Sequence, residues 1–170
     1  AWMTNGTPIC MDTFSQVTPQ LIKDGSGGAY ITWFGLTVGV QLIDGNGNIQ
    51  WPVNGVKLCP PTYNPQRPKI SSDFEGGAIL TWIDYRNFEY NVFAQRINQF
   101  GSAFWPMNGI TICNAQGQQY ESVLVTSNST NGTIITCFHE RNGTNNVDVY
   151  AQNVTPYGTI GAADYTEINV

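Results

Sequence analysis

The residues best suited to acid–base chemistry stand together late in the chain. His139, Glu140 and Arg141 are consecutive, and His139 is the only histidine. An imidazole beside a carboxylate can exchange protons with a substrate near neutral pH. A single histidine at the end of an apolar run, without an activated nucleophile, is more typical of a hydrogen-bonding or surface residue. We therefore predict no catalytic residue here and keep His139 and Arg141 as candidate ligand contacts.

A second candidate is the opposite-charge pair Asp84 and Arg86, which follows the apolar run of residues 78–83. Two residues apart across a turn, a carboxylate and a guanidinium can form a short-range ion pair. We predict that this pair braces the turn, with a ligand contact as the second interpretation.

A metal site is the third possibility, at Asp44, Asn46 and Asn48. Oxygen ligands at alternate positions are typical of a calcium loop, which also needs a glycine at its sixth position. Ile49 stands there instead, and the distal glutamate is missing. The segment therefore predicts a hairpin turn, and we predict neither a metal nor a cofactor.

Aromatic residues in the polar connections give the better signal for ligand binding, because core packing does not obviously require them there. Beside Asn, Asp and Arg, such rings can stack on a sugar or peptide while their neighbours form hydrogen bonds. The alternative is that they fold back over the sheet edges. The predicted ligand-binding residues are Tyr63, Asp84, Tyr85, Arg86, Phe88, Tyr90, Tyr120, His139 and Arg141.

The elements that position these residues come from an internal repeat. The phrase W-P-V-N-G-V-K-L-C at residues 51–59 returns at 105–113 as W-P-M-N-G-I-T-I-C, and a weaker copy occupies residues 2–10. Successive copies are 49 and 54 residues apart. A period near fifty residues is typical of propeller blades and longer than the usual solenoid repeats.

One repeat predicts four short strands and no helix. In the middle copy, residues 67–72, 78–83, 91–98 and 109–113 have β-prone or alternating patterns separated by turn residues. We expect Trp33, Trp82 and Cys137 to occupy equivalent positions between neighbouring sheets. A further set, Gln41, Gln95 and Gln152, recurs in every unit and should hydrogen-bond to the backbone of a neighbouring strand.

The combined pattern W-P-x-N-G-V-x-x-C, Q-x-P-x-I-x-S-D, G-G-A-I-x-x-W-x-D-x-R and V-x-A-Q-R-I resembles a repeat of bacterial secreted and cell-surface proteins that is predicted to form β-propeller blades. The middle copy has nearly all of it, and the resemblance extends to about Gly158. The first copy has Gly35 and Thr37 in place of Asp84 and Arg86. The resemblance implies the fold, and it implies no particular activity.

We therefore predict an all-β fold of propeller-type, four-stranded meander blades in a single repeat domain over residues 1–170. The repeats span residues 11–59, 60–113 and 114–170, and residues 1–10 should form a strand that completes an adjacent or the last blade. Because propellers typically close with four to eight blades, three are too few. The chain is expected to be part of a longer propeller or to form a six-bladed ring with a second copy.

Composition restricts the class of partner. The formal net charge is −5, only 11% of residues are charged, and 41% are hydrophobic. Without a basic cluster, nucleic-acid binding is not expected, and no apolar stretch approaches the length of a membrane span. Such a weakly charged surface is common in extracellular proteins, so we expect an extracellular or cell-surface location.

Two further residue classes bear on the compartment. Cys10, Cys59 and Cys113 occupy equivalent positions in successive units, which should lie too far apart for a disulfide, so we predict small buried side chains. Glycosylation sequons occur at Asn5, Asn128, Asn131, Asn142 and Asn153, although an Asn- and Thr-rich chain also produces them by chance.

The function expected from these observations is a binding or structural module that mediates protein–protein or assembly contacts, and we do not expect an enzyme. Its partner would be the remainder of a propeller or a second copy of the chain. The first alternative is a lectin that binds glycans between blades. The second is a non-catalytic part of a larger secreted hydrolase.

Overall fold

The computed structural model describes residues 1–113, 115–126, 132–140, 146–161 and 166–167. All the regular elements found there are β-strands, apart from a short 3₁₀ turn at Pro61–Tyr63. No described helix is long and apolar enough to cross a membrane. The strands are β1 (Val17–Lys23), β2 (Ala29–Phe34), β3 (Val38–Ile43), β4 (Val56–Lys57), β5 (Gln66–Ser72), β6 (Ala78–Asp84), β7 (Asn91–Ile97), β8 (Ile110–Thr111), β9 (Gln119–Thr126), β10 (Thr133–His139), β11 (Asp148–Val154) and β12 (Thr166–Glu167).

Each repeat forms one four-stranded antiparallel meander. The first sheet has the order β1-β2-β3-β4, the second β5-β6-β7-β8, and the third β9-β10-β11-β12. The register also repeats, because Trp33 pairs with Gly39, Trp82 with Phe93, and Cys137 with Tyr150. The predicted all-β fold with four short strands per repeat is therefore confirmed.

The strand predicted over residues 1–10, which was to complete an adjacent or the last blade, stays a prediction. The segment forms no strand within the single chain, whose first strand begins at Val17. The fourth position of the third sheet is taken by β12, where Thr166 pairs with Ala151. A strand needs the backbone of a partner, and the segment lies against the β3–β4 turn by its Trp2 side chain instead.

The turns explain the repeated Asp and Asn residues. The Asp44 carboxylate accepts the backbone N–H groups of Asn46 and Asn48 at 2.9 and 2.8 Å. These hydrogen bonds, with the one from the Asn48 side chain first, lower the pKa of Asp44. Asn98 caps the corresponding turn of the second repeat in the same way. The hairpin-turn prediction for this segment is therefore confirmed.

The sheets stack face to face around two apolar cores. The core between the first and second sheets contains Tyr30, Val40, Leu80, Trp82 and Phe93, and the one between the second and third includes residues of β6, β7, β10 and β11. The first strands of successive sheets, β1, β5 and β9, lie side by side. As predicted, Trp82 packs between neighbouring sheets, and Cys137 lies at the corresponding position of the next boundary.

Gln41, Gln95, Cys59 and Cys113 have the predicted structural roles, whereas Cys10 is less buried than predicted. Gln95 donates to the carbonyl of Pro106 at 2.9 Å and accepts the N–H of Trp105 at 3.0 Å. Gln41 holds the corresponding Trp-Pro backbone of the first repeat. All four cysteines are free thiols, of which Cys10 is half-buried and the other three are buried.

Candidate functional site

The predicted pair Asp84 and Arg86 forms a buried cluster at the end of the second sheet. Arg86 Nη2 donates to Asp84 Oδ2 at 2.5 Å, and the indole N–H of Trp82 donates to the same oxygen at 2.9 Å. The guanidinium lies over the rings of Phe93 and Tyr63, at 3.6 and 4.4 Å from their centroids. Since Asp84 has no exposed surface, the cluster closes the end of the core, and a surface ligand does not reach this carboxylate.

The guanidinium also connects this cluster to the repeated phrase, because Arg86 Nη2 donates to the backbone carbonyl of Asn108 at 2.9 Å. Asn108 has a positive φ of 68°. Its carbonyl therefore points out of the tight turn that the Asn-Gly pair makes. The interpretation of the pair as a brace is supported, and the brace extends across 22 residues of sequence.

The predicted aromatic residues lie near this cluster in the second repeat. The rings of Tyr85 and Tyr90 are 5.2 Å apart. The hydroxyl of Tyr90 accepts hydrogen bonds from Asn64 and Gln66, both at 3.0 Å. Tyr85 and Phe88 are exposed. This group remains a predicted ligand surface.

The remaining predicted residues lie in the third repeat and do not join that group. His139 is fully buried, and its Nε2 lies 3.1 Å from the carbonyl of Gln116. Its ring meets Tyr150 edge-on, so it is a hydrogen-bonding core residue and not a surface contact. Tyr120 is exposed, and a hydrogen bond to Glu140 raises the pKa of its hydroxyl.

The remaining predicted positions are Arg141 and the glycosylation sequons. Arg141 and the sequons at Asn128, Asn131 and Asn142 lie outside the described residues. Asn5 and Asn153 are exposed, so both remain possible acceptors. No group of three or more His, Cys, Asp or Glu residues able to hold a metal occurs in the described part of the chain.

The repeated tryptophan joins each copy of the phrase to the following sheet by a hydrogen bond. Trp51 donates its indole N–H to the carbonyl of Gln99 at 3.0 Å, and Trp105 does the same to Pro156 at 3.0 Å. Trp2 bonds to the carbonyl of Gly45 at 3.1 Å. All three acceptors occupy the same position in the turn between the third and fourth strands of a sheet. Residues 1–10 thus lie on the first sheet as residues 51–59 lie on the second.

The outer face of the third sheet is apolar and open. Val149 is 37% exposed, whereas its counterparts Val38 and Val92 are both fully buried against the next sheet. Ile134 is 39% exposed, and its counterpart Ile79 is 4% exposed. Phe138, which pairs with Val149 on β11, is exposed on the same face. The third sheet therefore has on this face the apolar residues of an inter-sheet contact. No other sheet of the described residues covers them.

The outer face of the first sheet is also exposed, and it corresponds to the opposite side of an inter-sheet contact. Leu21 pairs with Ile31 on this face and is 67% exposed. The equivalent pair of the second sheet is Ile70 with Leu80, and both pack in the core against the first sheet. This face corresponds to the side of the second sheet that contacts the first.

A pocket of about 280 Å³ lies at one end of this first face. Trp33 forms part of its wall, and Lys57 places its ammonium 5.7 Å from the centroid of that ring. Lys57 also pairs with Asp12, which accepts a hydrogen bond from Asn54 as well. The hydrogen bond from Lys57 lowers the pKa of Asp12. Sequence reasoning missed this pocket, and its only signal was that Gly35 and Thr37 depart from the repeat.

Three four-stranded antiparallel meanders stacked face to face define an all-β repeat protein. No family model and no curated protein matches this chain. Three solved chains match, among them the crystal structure of an endo-1,4-beta-xylanase from Bacteroides thetaiotaomicron, with a TM-score of 0.59 and 8% sequence identity. The match covers 95% of this chain and 56% of that one, so the chain spans about half the length of the xylanase chain. At this identity the likeness shows the fold alone.

Proposed function

We propose that this chain is an assembly module, which binds a second copy of itself head to tail through the outer faces of its first and third sheets. The observation that carries the proposal is the exposure of Ile134, Phe138 and Val149, on a face whose counterparts in the other two sheets pack against a neighbouring sheet. A sheet stabilises a fold by burying its apolar face against another layer. The proposal thus assigns these residues as the contact surface of the expected binding module.

The two open faces are the two halves of a contact that the chain already makes twice. The outer face of the third sheet corresponds to the side that the first sheet turns to the second, and the outer face of the first corresponds to the reverse side. Placing one against the other reproduces the packing of the internal boundaries. Such a contact joins two different surfaces, so it produces a ring if the rotation closes. Two chains would supply six sheets, within the usual range for a propeller.

The segment of residues 1–10 fits this arrangement. The Trp2 indole hydrogen-bonds this segment to the first sheet, in the position that the fourth strand of a preceding sheet would occupy. In the pair, this segment would run beside β11 of the neighbouring copy and take the place of β12, which has only two residues. We propose this exchange as the way in which the segment becomes the strand that the sequence predicts.

Location and wider context remain proposals. The weakly charged composition and the resemblance to repeats of bacterial secreted and cell-surface proteins support an extracellular or surface location. The xylanase named above supports, more weakly, the alternative that the chain is a non-catalytic part of a secreted hydrolase.

Sedimentation velocity tests the head-to-tail contact with one charge on each face. The wild-type chain should associate as its concentration rises, and Phe138→Asp or Leu21→Asp should each leave only monomers. A mixture of the two variants should form a dimer, because each retains the face that the other has lost. Met107→Asp is the matched control and should associate like the wild type, since Met107 is exposed and lies in the connection between β7 and β8 of the second sheet, which packs between the other two.

Two results would contradict the proposal. One is a wild-type chain that remains monomeric at millimolar concentration, which would leave the open faces to a different partner. The other is a mixture of the two variants that forms no heterodimer, because a head-to-tail contact requires one. A symmetric contact would instead leave one of the two variants able to dimerise with itself.

A further inference from the structure

The pocket beside Trp33 occupies the place that a charged cluster fills in the second repeat. By the register of the strands, Gly35 corresponds to Asp84, and Thr37 corresponds to Asn91. The loop between β2 and β3 is shorter than that between β6 and β7, so Arg86 has no counterpart. Gly39, which pairs with Trp33, corresponds to Phe93. Asp84 and Phe93 are thus replaced by glycines, Arg86 is missing, and a pocket of about 280 Å³ lies beside Trp33.

The first repeat keeps part of the hydrogen-bonding framework. In the second repeat, the indole N–H of Trp82 donates to the carboxylate of Asp84, which also pairs with a guanidinium. In the first repeat the indole of Trp33 lines the pocket, and its N–H, which solvent reaches, donates to no described residue. A cation is also present, as Lys57. Asp12 pairs with this cation, but no described carboxylate receives the indole N–H as Asp84 does in the second repeat, because Gly35 has no side chain.

We propose that this pocket binds a carboxylate carried by a small ligand, which accepts the indole N–H of Trp33 and pairs with Lys57. An indole N–H at the wall of a pocket can donate to a ligand, and charge-assisted hydrogen bonds to a carboxylate are among the stronger polar contacts. The ligand thereby completes the arrangement that Trp82, Asp84 and Arg86 form within the chain.

The rest of the pocket points to a carboxylate on a ring-shaped body. The exposed side chains of Phe14 and Leu36 line the entrance, and an apolar wall with a few polar groups is typical of a small-molecule site. A hexuronic acid offers a flat sugar ring for the aromatic wall and one carboxylate for the polar end. The Asp12 carboxylate lies in the same pocket and opposes an acidic ligand, although its pairing with Lys57 offsets much of its charge.

An NMR titration tests the site directly. The indole N–H resonance of Trp33, assigned by its loss in Trp33→Phe, should shift on addition of galacturonate and should not shift with galactose, which has the same ring without the carboxylate. Acetate should produce a smaller shift at the same concentration. Using both the wild type and the Phe138→Asp variant separates this test from self-association.

Variants make the test specific. Lys57→Gln should weaken galacturonate binding about tenfold, while Lys23→Gln, at an exposed lysine outside the pocket, should leave it unchanged. Asp12→Asn should strengthen binding. Gly35→Asp should abolish it, because the chain then supplies its own carboxylate; the added Cβ would lie 3.1 Å from the carbonyl of Ser15, which requires a small shift.

The outcomes that would overturn the proposal are defined. No shift of the Trp33 resonance with either acid would exclude a carboxylate site. An equal shift with galactose would show that the carboxylate is not what is recognised, and an equal shift with acetate would exclude the sugar acid as the ligand class. If Gly35→Asp does not fold, binding that is unaffected by Lys57→Gln would still refute the proposal.

Discussion

The cluster of Asp84 and Arg86 allows a sharp test of whether this pair is a structural brace. Asp84→Ala leaves the guanidinium of Arg86 in a largely buried site, facing the rings of Phe93 and Tyr63, and it also removes the acceptor of the Trp82 indole. Breaking a buried ion pair by removing one partner costs about 3–5 kcal/mol of unfolding free energy. We expect the loss of unfolding free energy in Asp84→Ala to fall in this range.

The double variant Asp84→Ala/Arg86→Ala should cost less than the two single changes added together. Removing both charges leaves neither of them buried without its partner, and replacing a buried pair by apolar groups is often close to neutral. The remaining losses are the hydrogen bond to Asn108 and the contacts of the guanidinium with two rings. We expect a coupling free energy of about 1–3 kcal/mol between the two sites.

Urea unfolding, followed by tryptophan fluorescence and by circular dichroism, measures these free energies without the ionic strength that guanidinium chloride adds. The two probes should give coincident transitions if the chain unfolds in one step. Costs that simply add, or an Asp84→Ala variant that loses less than about 1 kcal/mol, would refute the brace. Such a result would favour the interpretation of the pair as a ligand contact.

Two further predictions follow from single residues. Burial, with smaller contributions from Asp73 and Asp24, raises the pKa of Tyr30 to about 12, so stability that is complete below pH 10 should be lost as the pH rises through 12, by up to ~2–3 kcal/mol. Urea unfolding between pH 9 and 12 should show this loss in the wild type and a smaller one in Tyr30→Phe. Gly109→Ala should cost more than ~2 kcal/mol, because φ is +79° and the new Cβ would lie 2.6 Å from the Trp82 ring. Gly25→Ala, with φ +88° and no atom within 4 Å, should cost only ~1 kcal/mol, and equal losses in the two variants would contradict this reasoning.

Much of the fold was readable from the sequence because its signals are local and repeated. The strands of the second repeat were predicted close to their observed bounds, since a period of two and the flanking turn residues depend on neighbours along the chain. The role of Gln95 was predicted from its recurrence alone, and the structure confirms it. The same logic gave residues 1–10 as a strand, but a strand also needs a partner strand, and the described chain offers this segment none.

The candidate sites were less predictable. His139 looked like a surface contact because its neighbours in sequence are polar, and only the packing of Tyr150 and Gln116 around it shows that it is buried. The pocket beside Trp33 had a visible signal in Gly35 and Thr37. The sequence did not indicate that Lys57 and Asp12 approach the same space.

The sequence by itself determined the number of repeats, their four strands and the residues of their turns, because backbone preference and side-chain alternation act over a few residues. Tertiary structure decided which sheet faces are covered and which are open. It also decided that a charged pair fills the space at the end of the second sheet, whereas the first sheet, which lacks that pair, has a pocket there. Those outcomes depend on contacts such as that between Arg86 and the carbonyl of Asn108, 22 residues away. Burial is a property of the stacked sheets, so a similar apolar pattern is core in the second sheet and an open surface in the third.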